Sequence, residues 1–180
     1  MTATMPIRDT FADIKTATLA HLDEHGCGCY PYSSGSLLAV LAATARAGTV
    51  VELGTALGYS AAWFASTGAH VHTIDRDPTH TGQARHHLAK HRLTGRVTFH
   101  TGEGLDILST LATGGADVAF FDGYAPTAAA VDALGATLRP GGLLIAANMT
   151  LGGDAGAIHG RLADWWHADL GETLLAVKPH

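Results

Sequence analysis

The residues best placed for chemistry are acids and glycines that close apolar runs. Val50-Val51-Glu52-Leu53-Gly54 is a short run with β-branched enrichment ending in a glycine, and Tyr59-Ser60-Ala61-Ala62-Trp63-Phe64-Ala65 then has helical character. Gly54 lets the chain turn sharply off the run, and Gly58 lets backbone lie close to a ligand or a neighbouring element. A helix that opens at Tyr59-Ser60 offers unpaired N–H groups and a positive dipole end, which suit an anionic group. Glu52, at the end of the strand, disfavours a phosphate and favours an ammonium. About 20 residues further on, Val71-His72-Thr73-Ile74-Asp75 is a second run ending in an acid, placed to accept from ribose hydroxyls.

A dinucleotide site wants Gly-x-Gly-x-x-Gly, whose second glycine admits the pyrophosphate. Ala56 stands at that position and hinders a diphosphate. A ligand with a carboxylate, an amino group and a ribose but no phosphate fits better, and S-adenosylmethionine is such a ligand. Ala56 and Glu52 together disfavour a nicotinamide-dependent oxidoreductase.

The elements that must position these residues alternate between strand and helix. Strands are expected at residues 50–54, 70–75, 97–101, 117–121, 143–147 and 173–177. Helices are expected at 59–67, from Asp77-Pro78 to about Arg92, and at 105–111, 127–138 and 155–166. Asp77 reads as an N-cap with proline at the first helical position. Arg139-Pro140-Gly141-Gly142 reads as a tight turn. Ahead of these lie a helix at 10–24, with Phe11, Ile14, Leu19 and Leu22 near one face, a loop at 25–36 and a second helix at 36–47. This pattern predicts an α/β fold, a Rossmann-like, doubly wound, mostly parallel sheet with helices on both faces. Ligands in such sheets bind beyond the carboxyl ends of the strands. The edge to inspect is therefore Glu52 to Ser60, Asp75-Arg76, Gly102-Glu103-Gly104, Asp122-Gly123-Tyr124 and Asn148.

The 180 residues make one domain the simplest expectation, with 1–48 as N-terminal helices and a pocket-bordering loop and 49–180 as the ligand-binding core. With 47% hydrophobic and 15% charged residues the composition is that of a soluble globular protein. A net charge of -5 argues against a nucleic-acid partner, and the basic stretch from Arg85 to Arg96 reads as a solvated helix face. No apolar run reaches the roughly 18 residues of a membrane span. The N-terminus lacks an apolar signal core, which makes the cytoplasm the expected compartment. Cys27-Gly28-Cys29 is expected to hold free thiols, too close for an unstrained disulfide and without a second pair to complete a zinc site. The 12 histidines are scattered, without a His-x-x-x-His pair around a glutamate.

Glu52-Leu53-Gly54-Thr55 followed by Gly58-Tyr59-Ser60 resembles the first motif of the catechol and caffeoyl-CoA type O-methyltransferases, class I enzymes that use S-adenosylmethionine. The resemblance covers roughly residues 30 to 178 and implies a seven-stranded-type sheet. Only about 30 residues follow Asn148, so its C-terminal antiparallel part is expected to be shortened. The resemblance implies that Tyr59 and Ser60 hold the methionine carboxylate through backbone N–H and hydroxyl. It places Glu52 at the methionine amino group, directly or through water, Asp75 at the ribose hydroxyls and Gly102-Glu103-Gly104 along the adenine edge, with Arg76 beside Asp75 a further cofactor-binding candidate. Asp122 falls where the family has an aspartate near the sulfonium and the acceptor, which makes it the catalytic candidate. Tyr30, Tyr32, Ser33, Ser34, Tyr124 and Asn148 are candidates for the acceptor side.

Two departures stand out. Metal-dependent members carry an Asp-Asn pair after the fifth strand, where this chain has Ala147-Asn148, and often a lysine where it has Ala125. Asp122 and Asn148 alone are a thin oxygen set for a hard cation, with Asp154 the one conceivable substitute. No tightly bound divalent metal is therefore expected. Methyl transfer does not demand one, because the enzyme chiefly aligns the nucleophile and removes a proton. The base is left among Asp122, His21, His25, His159, Tyr124 and solvent. Trp165-Trp166 is read as core cover, acceptor lid or dimer face, and a homodimer stays possible. The expectation is methylation of a small-molecule acceptor, with S-adenosylhomocysteine as product. The resemblance favours an oxygen target. An N- or C-methyltransferase and a non-catalytic S-adenosylmethionine-binding protein are the alternatives.

Overall fold

The computed structural model describes residues 9–180, so residues 1–8 of the expected N-terminal segment lie outside it. Its centre is a sheet of seven strands: β1 (Thr49–Leu53), β2 (His70–Asp75), β3 (Val97–Thr101), β4 (Ala116–Phe121), β5 (Leu138–Ala146), β6 (Trp166–Asp169) and β7 (Leu174–Val177). Their order is β3-β2-β1-β4-β5-β7-β6. The first five strands run parallel, and β7 and β6 complete the sheet antiparallel. The helices are α1 (Ala12–His25), α2 (Gly35–Thr44), α3 (Tyr59–Ser66), α4 (Pro78–Lys90), α5 (Gly104–Thr110), α6 (Ala128–Thr137) and α7 (Ala155–Arg161).

Successive strand residues point to opposite faces, and both faces are covered. Val50, Val118, Phe120 and Ile145 pack with Ile14, Leu38, Phe64 and Leu88 from α1 to α4. Val51, Ala119, Phe121 and Leu144 pack with Leu108, Leu134 and Ile158 from α5 to α7. Burial on both faces is why Val118–Phe121 of β4 and Leu143–Ala146 of β5 read as unbroken apolar runs, whereas β2 and β3 carry histidines and threonines between their apolar residues. The sheet is doubly wound as expected. Because β1 has β2 on one side and β4 on the other, the strand order reverses there and leaves a crevice at their carboxyl ends.

Several boundaries differ from the sequence reading. On α1 the buried residues are Ile14, Thr18 and His21, while Leu19 is exposed. Positions i, i+4 and i+7 form the inward stripe, so a helix that reads weakly apolar packs through a threonine and a histidine. The expected turn at 139–142 is part of β5: Leu138 pairs with Ala116, the register shifts before Val118, and Gly141 donates its N–H to the Lys178 carbonyl. The helix expected at 155–166 stops at Arg161, and Trp166 opens β6, a strand that was not foreseen. Every residue of β6 is exposed, so the strand lacks the apolar alternation by which strands are recognised. The antiparallel part expected to be shortened is a hairpin of two strands of 4 residues each.

Candidate functional site

A cleft of about 970 Å³ opens at the carboxyl ends of the parallel strands. Its wall includes Gly54, Tyr59, Ser60, Asp75, Arg76, Glu103, Gly104 and Asp122, eight of the nine residues the sequence assigned to cofactor binding. Gly54 takes φ of +106°, and a Cβ there would stand 2.4 Å from the Asp122 carbonyl oxygen. The loops after β1 and β4 approach so closely that only glycine fits. Gly58, with φ +90°, answers to a neighbouring element: a Cβ would meet Leu88 of α4 at 2.6 Å.

The loop between those glycines is held by Asp75. Its Oδ2 accepts from the backbone N–H of Ala56 at 2.9 Å and of Thr55 at 3.2 Å, and Oδ1 accepts from Asp77 N–H at 2.9 Å. The His80 Nδ1 lies 3.3 Å from both oxygens. Burial alone would raise this carboxyl, but the bond to His80 and those backbone donors hold it below the ordinary carboxylate range. Asp75 therefore shapes the pocket as well as facing it. Gly58 occupies the N-cap of α3 and has no side chain to cap it, so among the described residues the first N–H groups of the helix are presented to the cleft beside Ser60. The Tyr59 hydroxyl is engaged elsewhere, donating to Asp9 Oδ2 at 2.6 Å.

Glu52, expected at the methionine amino group directly or through water, does not reach the cleft wall itself. It is fully buried and absent from the cleft wall, one layer beneath it. The reason is register: Glu52 stands opposite Thr73 in the β1–β2 pair, and its Oε2 accepts from the Thr73 hydroxyl at 2.6 Å. Its Oε1 has no hydrogen-bond partner among the described residues. Burial drives the Glu52 carboxyl up to about 7, with the hydroxyls of Ser60 and Thr73 offsetting only part of the effect. Desolvation, with the Glu52 charge adding to it, also pushes the Asp122 carboxyl well above the usual range.

The acceptor-side candidates divide. Tyr32 and Tyr124 line the cleft, as does Tyr30. The Tyr32 hydroxyl, however, is paired with Thr173 Oγ1 at 2.9 Å and its ring packs edge-on against Phe120. Tyr124 is 72% exposed and lies against the chain at Gly28. Asn148 is off the wall, because its Nδ2 donates to the Gly123 carbonyl at 2.7 Å and ties the loop after β5 to the loop after β4. Ser33 and Ser34 are also off the wall. Among the base candidates, His159 sits on α7 beside Asp169, and the His25 ring lies tilted against that of His21; neither lines the cleft. The two tryptophans separate, Trp165 packing on Gly135 while Trp166 is 86% exposed.

Among the described residues, the one cluster of three or more His, Cys, Asp or Glu side chains with converging ligand atoms includes neither Asp122 nor Asp154. Ala147 offers no side-chain oxygen and is buried, Asn148 is committed to Gly123, and Asp154 Oδ2 accepts from Ala128 N–H at 3.3 Å. The cysteines also differ from expectation. Cys27 and Cys29 form a disulfide, their Cα atoms 5.4 Å apart and within ordinary bridging distance. Both line the cleft, and so does His80, which the sequence reading passed over. Its signal was present: the Asp77-Pro78 helix start sets His80 in the first turn of α4, back towards Asp75.

Against this geometry, residues 51–148 match a family model described as "Methyltransferase domain". The chain belongs to that methyltransferase family. A catechol O-methyltransferase from Niastella koreensis is 33% identical over 124 residues, which is 65% of this chain and 56% of that protein. A second catechol O-methyltransferase, from Mycobacterium tuberculosis, is 36% identical over 91 residues, 49% of this chain and 41% of its own length. This methyltransferase chain thus spans less than two thirds of these relatives. Its fold is that of an O-methyltransferase from Streptomyces achromogenes solved in complex with S-adenosylmethionine: TM-score 0.76 at 21% identity, covering 99% of this chain and 93% of that one. No helix among the described residues is long and apolar enough to cross a membrane.

Proposed function

We propose that this methyltransferase chain is a single domain that moves a methyl group from S-adenosylmethionine to an oxygen of a small-molecule acceptor, without the divalent metal of the enzymes it resembles. The observation that carries the reading is the cleft itself, where the uncapped start of α3, Asp75, Glu103 and Asp122 share one wall. The family membership, the catechol O-methyltransferase relatives and the neighbour solved with S-adenosylmethionine support it.

In this reading the N–H groups at Tyr59 and Ser60 hold the methionine carboxylate at the positive end of the helix. Asp75 and Arg76 hold the ribose, and Glu103 accepts from the adenine amino group. Glu52 lies one layer behind, so it acts towards the methionine ammonium through water or through Ser60; its unpartnered buried oxygen is the acceptor such a cation would satisfy. The bound cofactor supplies an electrophilic methyl group on its sulfonium. Asp122, with a raised carboxyl, takes the proton from the acceptor hydroxyl. Tyr124 and Tyr30, exposed at the cleft mouth, contact the acceptor. The scheme leaves the metal out because Ala147 stands where the metal-dependent enzymes this chain resembles carry an acid.

The test is calorimetric titration with S-adenosylmethionine and S-adenosylhomocysteine, repeated with EDTA and with Mg²⁺. Micromolar binding indifferent to both additions is expected, followed by methylation of a phenolic or other hydroxyl acceptor in a screen. Absence of binding refutes the reading, and binding or turnover that requires Mg²⁺ refutes its metal-free part.

A further inference from the structure

Beside the cleft, four side chains that coordinate soft metals converge. His21 in the last two turns of α1, Cys27 and Cys29 in the following loop, and His80 in the first turn of α4 each bring a ligand atom within 4.8 Å of the others. Nothing in the sequence spacing joins His80 to the rest, since the fold alone brings α4 against the end of α1. The rings of His21 and His80 meet edge to face with centroids 5.2 Å apart, and each residue is only 9% exposed.

His80 supplies the second, independent observation. Its Nδ1 is held 3.3 Å from the Asp75 carboxylate, while its Nε2 is buried and has no hydrogen-bond partner among the described residues. The Asp77 carboxylate is 3.9 Å from Nε2, beyond hydrogen-bond reach. A buried ring nitrogen without a partner needs an explanation. An imidazole oriented by a carboxylate on one nitrogen and open on the other is the usual arrangement of a metal-bound histidine.

We infer that His21, Cys27, Cys29 and His80 form a Cys₂His₂ site for a thiophilic divalent cation, Zn²⁺ by ligand chemistry, when the two cysteines are reduced. Two thiolates and two imidazoles are a closed tetrahedral set for zinc, with sulfur and nitrogen donors and no position left for a hard cation. The disulfide is the competing state, because only the thiolate ligates. Two equivalents of a thiol reductant pass two electrons to the Cys27–Cys29 bond, are themselves joined as a disulfide, and leave two cysteine thiols. Coordination then releases those two thiol protons to solvent. The metal ties the loop on the rim of the cleft to α4 and, through His80, to Asp75. This site stands apart from the methyl-transfer reading and does not depend on it.

The test uses the full chain, reduced, stripped with EDTA and desalted under nitrogen, then titrated with Co²⁺ as a spectroscopic stand-in for zinc. One equivalent should give thiolate-to-cobalt charge transfer and the intense visible bands of a tetrahedral site, both bleached by one equivalent of Zn²⁺. The oxidised protein should give neither, a comparison that needs no variant. Cys29→Ser should lose about half of the charge-transfer intensity, and His80→Ala should weaken Co²⁺ binding more than tenfold. Only weak octahedral absorption in the reduced wild type overturns the inference, as does an undiminished spectrum in both His80→Ala and His21→Ala. S-adenosylmethionine titrated into the same sample is read separately, so failure of either proposal leaves the other standing.

Discussion

Glu52 and Thr73 face each other across the parallel β1–β2 pair, and the threonine hydroxyl donates to one glutamate oxygen at 2.6 Å while the other has no partner among the described residues. A carboxyl group is thereby held in the centre of the sheet under the floor of the cleft. Its folded pKa of about 7 lies above the ordinary 4.5, so the folded state binds more protons than the unfolded chain between those values. Stability should therefore fall as pH rises from about 4.5 to 7, by on the order of 3 kcal/mol. Glu52→Gln should flatten that slope in urea titrations across the range. An equal slope in the variant would show that Glu52 is not its source.

Asp122 is the residue on which the proposed chemistry turns. Asp122→Asn should lower kcat by about 10²- to 10⁴-fold and leave the S-adenosylmethionine Kd within a few fold. Because the Asp122 carboxyl is raised and a base must be ionised to act, wild-type kcat should climb with pH through a value well above the ordinary carboxylate range. That limb should vanish in the variant. A limb retained in Asp122→Asn assigns the base to another group.

Tyr59 separates the backbone from the side chain at the start of α3. Its hydroxyl donates to Asp9, so Tyr59→Phe should lose about 1.5–3 kcal/mol of stability, the usual worth of a bond to a charged group. Cofactor affinity should change less than twofold. A tenfold weaker Kd would mean that the hydroxyl serves the ligand.

Gly54 and Gly82 make a matched pair. Gly54→Ala forces a side chain into the left-handed region, 2.4 Å from the Asp122 carbonyl, and should cost about 3 kcal/mol or more. For a chain of this size that is a Tm lower by about 6–12 °C. Gly82 lies inside α4 with nothing within 4 Å of its Cβ position, and Gly82→Ala should raise stability by about 0.8–1 kcal/mol. Differential scanning calorimetry of the two variants reads both signs, and equal effects would contradict the argument.

Local signals were enough for most of the architecture. Apolar β-branched runs, the Asp77-Pro78 helix start and the glycine turn after Leu53 are governed by backbone preferences and two-sided burial, which act over a few residues. They placed β1 to β5 and β7, the parallel winding, and most of the cleft wall. Where burial is absent the signal is absent too: β6 is wholly exposed, and only its pairing with β7 makes it a strand.

Side-chain direction was decided by the tertiary structure. Glu52 turns under the wall because of its register with Thr73, Asn148 turns to the Gly123 carbonyl, and the Tyr32 hydroxyl reaches Thr173, far away in the chain. The same holds for the histidines, which look scattered as a string. The packing of α1 and α4 gathers His21 and His80 around Cys27 and Cys29. The sequence by itself determined which strand ends carry the polar residues, because each end is written in neighbouring residues. Which of those residues face the cleft, which support it from behind, and which distant ones join them was settled only when the sheet and its helices came together.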